Sequence, residues 1–239
     1  MKYKFIILTS ILLLIIGCSY SPEVEKRNNN LTVLEKNIIE SETEIKKYEI
    51  NVSYPALQNN NEDVIEVNKL IEDQVLGFVD GFRNNLLDWD DSHALEGAFN
   101  SLNITHNIKN LSEKTISFNY DVSEYFAGAA HPMNFIVTFN YNLVDNKGVE
   151  LDDLFIESQE QYLEPLSKLV EEKVIAKLGK YDLPPNAFYK EALSPKAENF
   201  SIFTLSESGL TFYFSSGVLG PYALGNIEIN VRYDELKNL

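Results

Sequence analysis

Three histidines, one cysteine and 36 Asp and Glu residues are the side chains of this chain suited to acid–base, nucleophilic or metal chemistry. Their spacing argues against most of it. His93, His106 and His131 do not fall at ligand spacings, and no HExxH pair is present to hold a zinc ion. There is no GxSxG elbow to expose a serine nucleophile and no glycine loop to cradle a phosphate. Asp88-Trp89-Asp90-Asp91-Ser92 opens like a calcium loop, but His93 stands where the sharp turn needs glycine and Phe99 where the closing carboxylate belongs. Pairs such as Asp152-Asp153 are abundant in any chain this acidic and read as solvated turn residues. The expectation is therefore no catalytic residue, no metal and no cofactor. Cys18 is the exception. Lys2 and Lys4 precede an apolar run from Phe5 to Ile16, and small Gly17 sits at the junction with the cysteine. The run is too short for a spanning helix, which needs about 20 residues, and has the three-part pattern of a secretory signal. A cysteine at the cut site supplies a thiolate that accepts lipid, so residues 1–17 read as a lipoprotein signal peptide and Cys18 as the lipid attachment.

Acylation would hold the chain on a membrane surface, because each buried methylene contributes about 0.8 kcal/mol and more than one acyl chain makes attachment durable. The expected location is the cell envelope, outside the cytoplasm, and in the outer membrane if the cell has one, since Ser19 and Tyr20 place no acidic residue after the cysteine. The formal charge is −16, and loss of residues 1–17 removes Lys2 and Lys4, leaving 18 cationic side chains against 36 anionic. That balance disfavours nucleic acid and anionic headgroups as partners and favours a cationic one. With Cys18 acylated no disulfide is available, so the fold must be held by burial, for which 14 Phe and 13 Tyr are ample.

Residues 18–45 read as a tether: Ser21-Pro22, Asn28-Asn29-Asn30 and mixed charges offer little to bury, although Leu31, Leu34, Ile38 and Ile39 follow helical spacing. Order is expected from residue 46. Tyr48, Ile50, Val52 and Tyr54 alternate as in a half-buried strand. Asn61-Glu62-Asp63 caps a long helix whose apolar face carries Val64, Val67, Ile71, Val75, Phe78 and Phe82. Gly77 and Gly81 weaken that helix by about 1 kcal/mol each, and close approach of a sheet would explain them. Three strands follow near 102–108, 115–125 and 134–144, with Ile116, Phe118, Tyr120 and Val122 alternating against Ser117, Asn119 and Asp121. After a turn at 145–148 comes a second helix near 161–178, in which Pro165 either sits in the first turn or makes a kink. Strands near 200–205, 210–214 and 226–233 close the chain. The fold class is α+β: two consecutive units, 46–147 and 148–239, each an antiparallel sheet packed on one main helix.

Two loops stand out. Tyr125-Phe126-Ala127-Gly128-Ala129-Ala130-His131-Pro132 joins two long strands with small residues, and Pro132 keeps His131 out of helical geometry. The other, 215–225, holds Gly217, Gly220, Pro221, Tyr222 and Gly225, a composition that specifies a shaped loop. The Gly-Ala-Ala-His-Pro run at 128–132, Leu-Asp-Asp-Leu-Phe at 151–155, Gly-Pro-Tyr-Ala-Leu-Gly at 220–225 and Val-Arg-Tyr-Asp-Glu-Leu at 231–236 resemble the tandem extracytoplasmic module of the RsiV/PdaC-type family. That module forms the outer part of lysozyme-sensing anti-sigma factors and the front half of certain peptidoglycan deacetylases, and it occurs in many lipoproteins. The resemblance covers about 46–236, with Gly128-Ala129 replacing a more usual double glycine. Four residues before the apolar run leave no sigma-binding segment, and an end at Leu239 leaves no deacetylase domain, so the resemblance implies the binding module alone.

In the sensor branch this module docks on lysozyme. If that property is shared, the resemblance points to Tyr125, Gly128, His131, Pro132, Gly217, Gly220, Pro221, Tyr222 and Gly225 as the ligand-binding set, with Tyr222 as an amphipathic anchor. The expectation is a non-catalytic, envelope-anchored binding module for lysozyme or peptidoglycan. The alternatives are a cell-wall hydrolase acting through His131 and a loop carboxylate, or a structural lipoprotein with a protein partner. Adjacency of the two loops is the observation that would support shared recognition.

Overall fold

A computed structural model describes residues 31–43, 46–59, 64–90, 92, 94, 97–156, 158–179 and 187–237. The signal run, Cys18 and the first part of the expected tether lie outside the described residues, as do Asn61-Glu62-Asp63 and His93.

The first sheet has six strands in the order β1 (Thr32–Glu42), β2 (Tyr48–Gln58), β3 (Asn100–Leu111), β4 (Thr115–Tyr125), β5 (Met133–Asn142) and β6 (Lys147–Gly148). All neighbours are antiparallel except β2 and β3, which run parallel because the chain crosses between them through α1 (Val64–Asp88). The sheet is therefore mixed, where a purely antiparallel one was expected. One face of α1 buries Val64, Val67, Ile71, Val75, Val79, Phe82 and Leu86 against Ile50, Val52, Leu102, Ile104, Ile116, Phe118, Tyr120 and Val122. Each such side chain contributes about 1.5–3 kcal/mol by leaving water. Phe78 lies at the margin of this stripe, and Val79 and Leu86 complete it. Gly77 and Gly81 have no atom within 4 Å of where a Cβ would sit, so close approach of the sheet does not explain them.

β1 corrects the reading of 18–45 as tether. Residues 32–42 pair with β2 along their whole length, from Thr32 opposite Gln58 to Glu42 opposite Tyr48. β1 is an edge strand, and Glu35, Lys36 and Glu40 leave it largely in water. An edge strand covered on little of either face shows no clean period of two.

The second unit begins with a 3₁₀ turn at Leu151–Leu154 and α2 (Gln159–Leu178), inside which Pro165 lies. A short α3 (Ala187–Ala192) and a 3₁₀ turn at Ala197–Phe200 lead to an antiparallel sheet of β7 (Phe203–Leu205), β8 (Gly209–Phe214) and β9 (Ile227–Arg232), before α4 (Tyr233–Leu236). The strand expected from residue 200 thus starts at 203, with Phe200 fully buried in the preceding turn. Leu166, Val170 and Val174 of α2 form a second core with Phe200, Phe203, Phe212, Ile229 and Val231.

The units are joined face to edge by polar groups. The row Ser117, Asn119, which alternation alone would give to solvent, is fully buried under β7. Ser117 Oγ donates to Asn140 Oδ1 at 2.6 Å and accepts the Leu205 amide at 2.8 Å, while Asn140 Nδ2 donates to the Phe203 carbonyl at 2.8 Å. Tyr213 and Thr204 share a hydroxyl bond of 2.9 Å, and burial pushes the Tyr213 phenol up to about 12.

Candidate functional site

The first loop is rigid at its root and exposed at its tip. Phe126 packs against Trp89 and Phe82 with ring centroids 5.1 and 5.4 Å away. The Ala127 amide donates to Asn100 Oδ1 at 2.9 Å, and the Ala127 carbonyl accepts Trp89 Nε1 at 2.9 Å. The end of α1 and the start of β3 thereby fix where the loop leaves the sheet. Ala129 N donates to the Phe126 carbonyl to close a turn, in which Gly128 takes a φ of 93° that an L side chain resists. From there Gly128, Ala130, His131 and Pro132 project into solvent.

The second loop is held by the second core. Leu219 is buried among the β7–β9 and α2 side chains, and Asn226 Oδ1 accepts both the Ser216 amide and hydroxyl at 3.0 and 3.1 Å. Gly217 and Gly225 have φ of 88° and 70°. Pro221 leads into a 3₁₀ turn over Tyr222–Leu224, closed by Leu224 N to the Pro221 carbonyl at 3.0 Å. A Cβ on Gly217 would meet the Tyr222 ring at 3.7 Å, an ordinary contact, so it is the positive φ and not lack of space that calls for glycine there.

The two loops meet. The Tyr222 hydroxyl donates to the Pro132 carbonyl at 2.6 Å and accepts the Asn134 amide at 2.9 Å, with Asn134 Nδ2 a further donor at 3.3 Å. The Tyr222 ring stacks on His131 at 4.2 Å between centroids. His131 Nδ1 donates to the Pro132 carbonyl at 2.9 Å, which leaves Nε2 as the outward nitrogen. Tyr222 is thus a clasp between the units, with its hydroxyl committed to the protein itself. Contacts across the loops run through His131, Pro132, Asn134 and Tyr222. Tyr125, half-buried at the end of β4, and Gly128, Gly217, Gly220, Pro221 and Gly225 shape their own loops. Sequence reasoning missed Trp89, Asn100, Asn134 and Asn226, the residues that position the loops. Each is an indole or amide next to a loop root, a residue type whose polar atoms seek backbone partners once half-buried.

Among the described residues, no carboxylate hydrogen-bonds His131, and no three His, Cys, Asp or Glu side chains gather as metal ligands. Also among them, no helix is long and apolar enough to cross a membrane. Glu124, one residue before the first loop, is 8% exposed, and burial holds its carboxyl above the ordinary range.

Residues 152–234, which include the second loop, match the family described as "Protein of unknown function (DUF3298)". Over 194 residues the chain is 27% identical to the peptidoglycan-N-acetylmuramic acid deacetylase PdaC of Bacillus subtilis strain 168. That alignment takes in 81% of this chain and 39% of the relative, so the chain spans about two-fifths of the deacetylase's length. A solved DUF3298-family structure from Bacteroides fragilis superposes with a TM-score of 0.62 at 18% identity, covering 90% of this chain and 95% of that one. Another, from Pseudomonas aeruginosa PAO1, gives 0.60 at 15% identity, covering 86% and 93%. At those identities the likeness is one of fold.

Proposed function

We propose that this chain is an envelope lipoprotein, anchored through Cys18, whose paired loops form a non-catalytic docking edge for lysozyme or for peptidoglycan. The observation that carries the reading is the Tyr222 clasp, which makes one composite surface from loops about 90 residues apart in sequence. A surface already ordered before contact loses little entropy on binding. Its exposed tip residues, Gly128, Ala130, His131, Pro132, Pro221 and Ala223, are small or rigid, as suits close approach of a partner backbone. A formal charge of −16 would speed encounter with a cationic protein more than it would raise affinity. Similarity to a peptidoglycan deacetylase supports a setting at the cell wall. A hydrolase reading gains no support from His131, which no carboxylate among the described residues hydrogen-bonds.

The test is retention of the full chain on immobilised lysozyme and on isolated cell wall at low and high salt, beside Ala130→Arg and Ala223→Arg. Both substitutions put a long side chain on the exposed edge without touching a buried group. The expected result is retention by the parent chain on one of the two materials and loss in both variants. No retention of the parent chain, or unchanged retention of both variants, refutes the reading. Cell-wall turnover by the purified chain that His131→Ala abolishes would replace it with the hydrolase.

A further inference from the structure

Where the two units meet, a cleft of about 690 Å³ opens between α1, the Thr138–Tyr141 end of β5, the 148–152 turn and the segment from Ala197 to Phe203. A cleft of roughly 300–1,000 Å³ at the junction of two units is the common setting of a small-molecule site. Its buried lining is apolar, with Tyr141, Leu151 and Phe203 shielded from water and Phe139 and Val149 half-buried beside them. Its exposed lining is acidic. Glu150, Asp152 and Glu198 line the cleft and no Lys or Arg does. Lys147 and Lys196, which lie within electrostatic reach of Glu150 and Glu198, are paired instead with Asp153 at 2.7 Å and with Glu191. The two glutamates therefore have no ion pair among the described residues.

The neutral polar groups of the cleft are short of donors too. Gln159 Nε2 and the Tyr162 hydroxyl both donate to Asp152, which fixes that carboxylate and leaves Gln159 Oε1 without a partner among the described residues. Gln74 lines the cleft from α1, and its Oε1 is buried with no hydrogen bond. Burying an acceptor without a partner is costly, so an open one beside a cleft calls for a donor from outside the chain. The Thr138 hydroxyl also has no partner among the described residues.

We propose that this cleft binds an amino sugar, free or within a glycan chain, through its ammonium and hydroxyl groups. An acceptor-rich lining selects a donor-rich ligand. The ammonium supplies three N–H donors and the positive charge that the three carboxylates lack. The hydroxyls serve Gln74, Gln159 and Thr138, and the apolar ring atoms cover Phe139 and Val149. A neutral sugar would leave the carboxylates without a cation, whereas an aliphatic polyamine has no hydroxyl for the neutral groups. An anionic ligand is repelled. The cleft shares no residue with the paired loops, so the site does not rest on what they bind.

The probe is the β-1,4-linked disaccharide of glucosamine, titrated calorimetrically into the full chain. Its fully N-acetylated counterpart, which keeps the hydroxyls and loses both charges, is expected to bind about tenfold or more weakly. Spermidine, which keeps the charge and has no hydroxyls, should also bind more weakly. Glu198→Gln alters an exposed side chain and Gln74→Leu removes an acceptor that is unpaired in the free protein. Each should weaken the disaccharide several-fold without lowering the melting temperature. Preference for the glucosamine hexasaccharide assigns a glycan chain as the source and preference for the disaccharide a free sugar, and either supports the site. No binding of the disaccharide, equal binding of its acetylated counterpart, spermidine binding as tight as the sugar, or unchanged affinity in both variants overturns the proposal. Ala130→Arg and Ala223→Arg should leave sugar affinity unchanged, so failure here and failure of loop docking are read separately.

Discussion

Tyr222→Phe isolates the clasp, because it removes one oxygen and keeps the ring that stacks on His131. That oxygen serves the Pro132 carbonyl, the Asn134 amide and Asn134 Nδ2. Pro132 is exposed, so its carbonyl turns to water at little cost, whereas the half-buried Asn134 amide loses more. With a net 0.5–1.5 kcal/mol for each well-made bond and a weak third contact, the expected loss is about 1–2 kcal/mol. For a protein of this size that lowers the melting temperature by roughly 2–8 °C. Calorimetry measures the shift, and hydrogen exchange resolved to residues 131–136 shows whether Asn134 is the amide set free. Faster exchange at Asn134 with a lowered melting temperature is the expected pair of results. An unchanged melting temperature together with unchanged Asn134 exchange would mean that the two loops are not joined through this hydroxyl, and the composite docking edge would fall with it.

Ser117→Ala leaves the buried Leu205 amide without an acceptor, so urea unfolding should show a loss of about 1–3 kcal/mol, and a change under about 0.5 would remove the polar junction from the account. Glu124→Gln tests the buried carboxyl. Burial raises its folded pKa, so the folded state holds the proton more tightly, and stability falls as pH rises from the ordinary carboxylate value through the raised one. The glutamine variant should therefore be more stable than the parent at neutral pH and equal to it below about pH 4, and an equal difference at both would refute the assignment. A chain beginning at residue 46 removes β1 and uncovers the β2 edge, so it should melt lower and aggregate more readily than one beginning at residue 19; equal melting curves would show β1 to be dispensable.

What could be read from the sequence follows how many neighbours each element has. α1 and β4 have a buried face along most of their length, so burial imposes the helical stripe from Val64 to Leu86 and the alternation of Ile116, Phe118, Tyr120 and Val122. β1 has one neighbouring strand and little covering on either face, so Glu35, Lys36 and Glu40 blur the pattern and Leu34, Ile38 and Ile39 imitate a helix. The polar row of β4 misleads in the opposite sense, since alternation separates two faces without saying that the polar one is wet. Its residue types carried the missing hint. Ser117 and Asn119, with Thr138 and Asn140 on β5, are short hydroxyls and amides that can be buried once paired, whereas a solvated face would ordinarily hold Lys and Glu. Loop composition marked both loops as shaped segments, but the Tyr222 to Pro132 bond joins residues 90 apart, and no local pattern encodes such a distance.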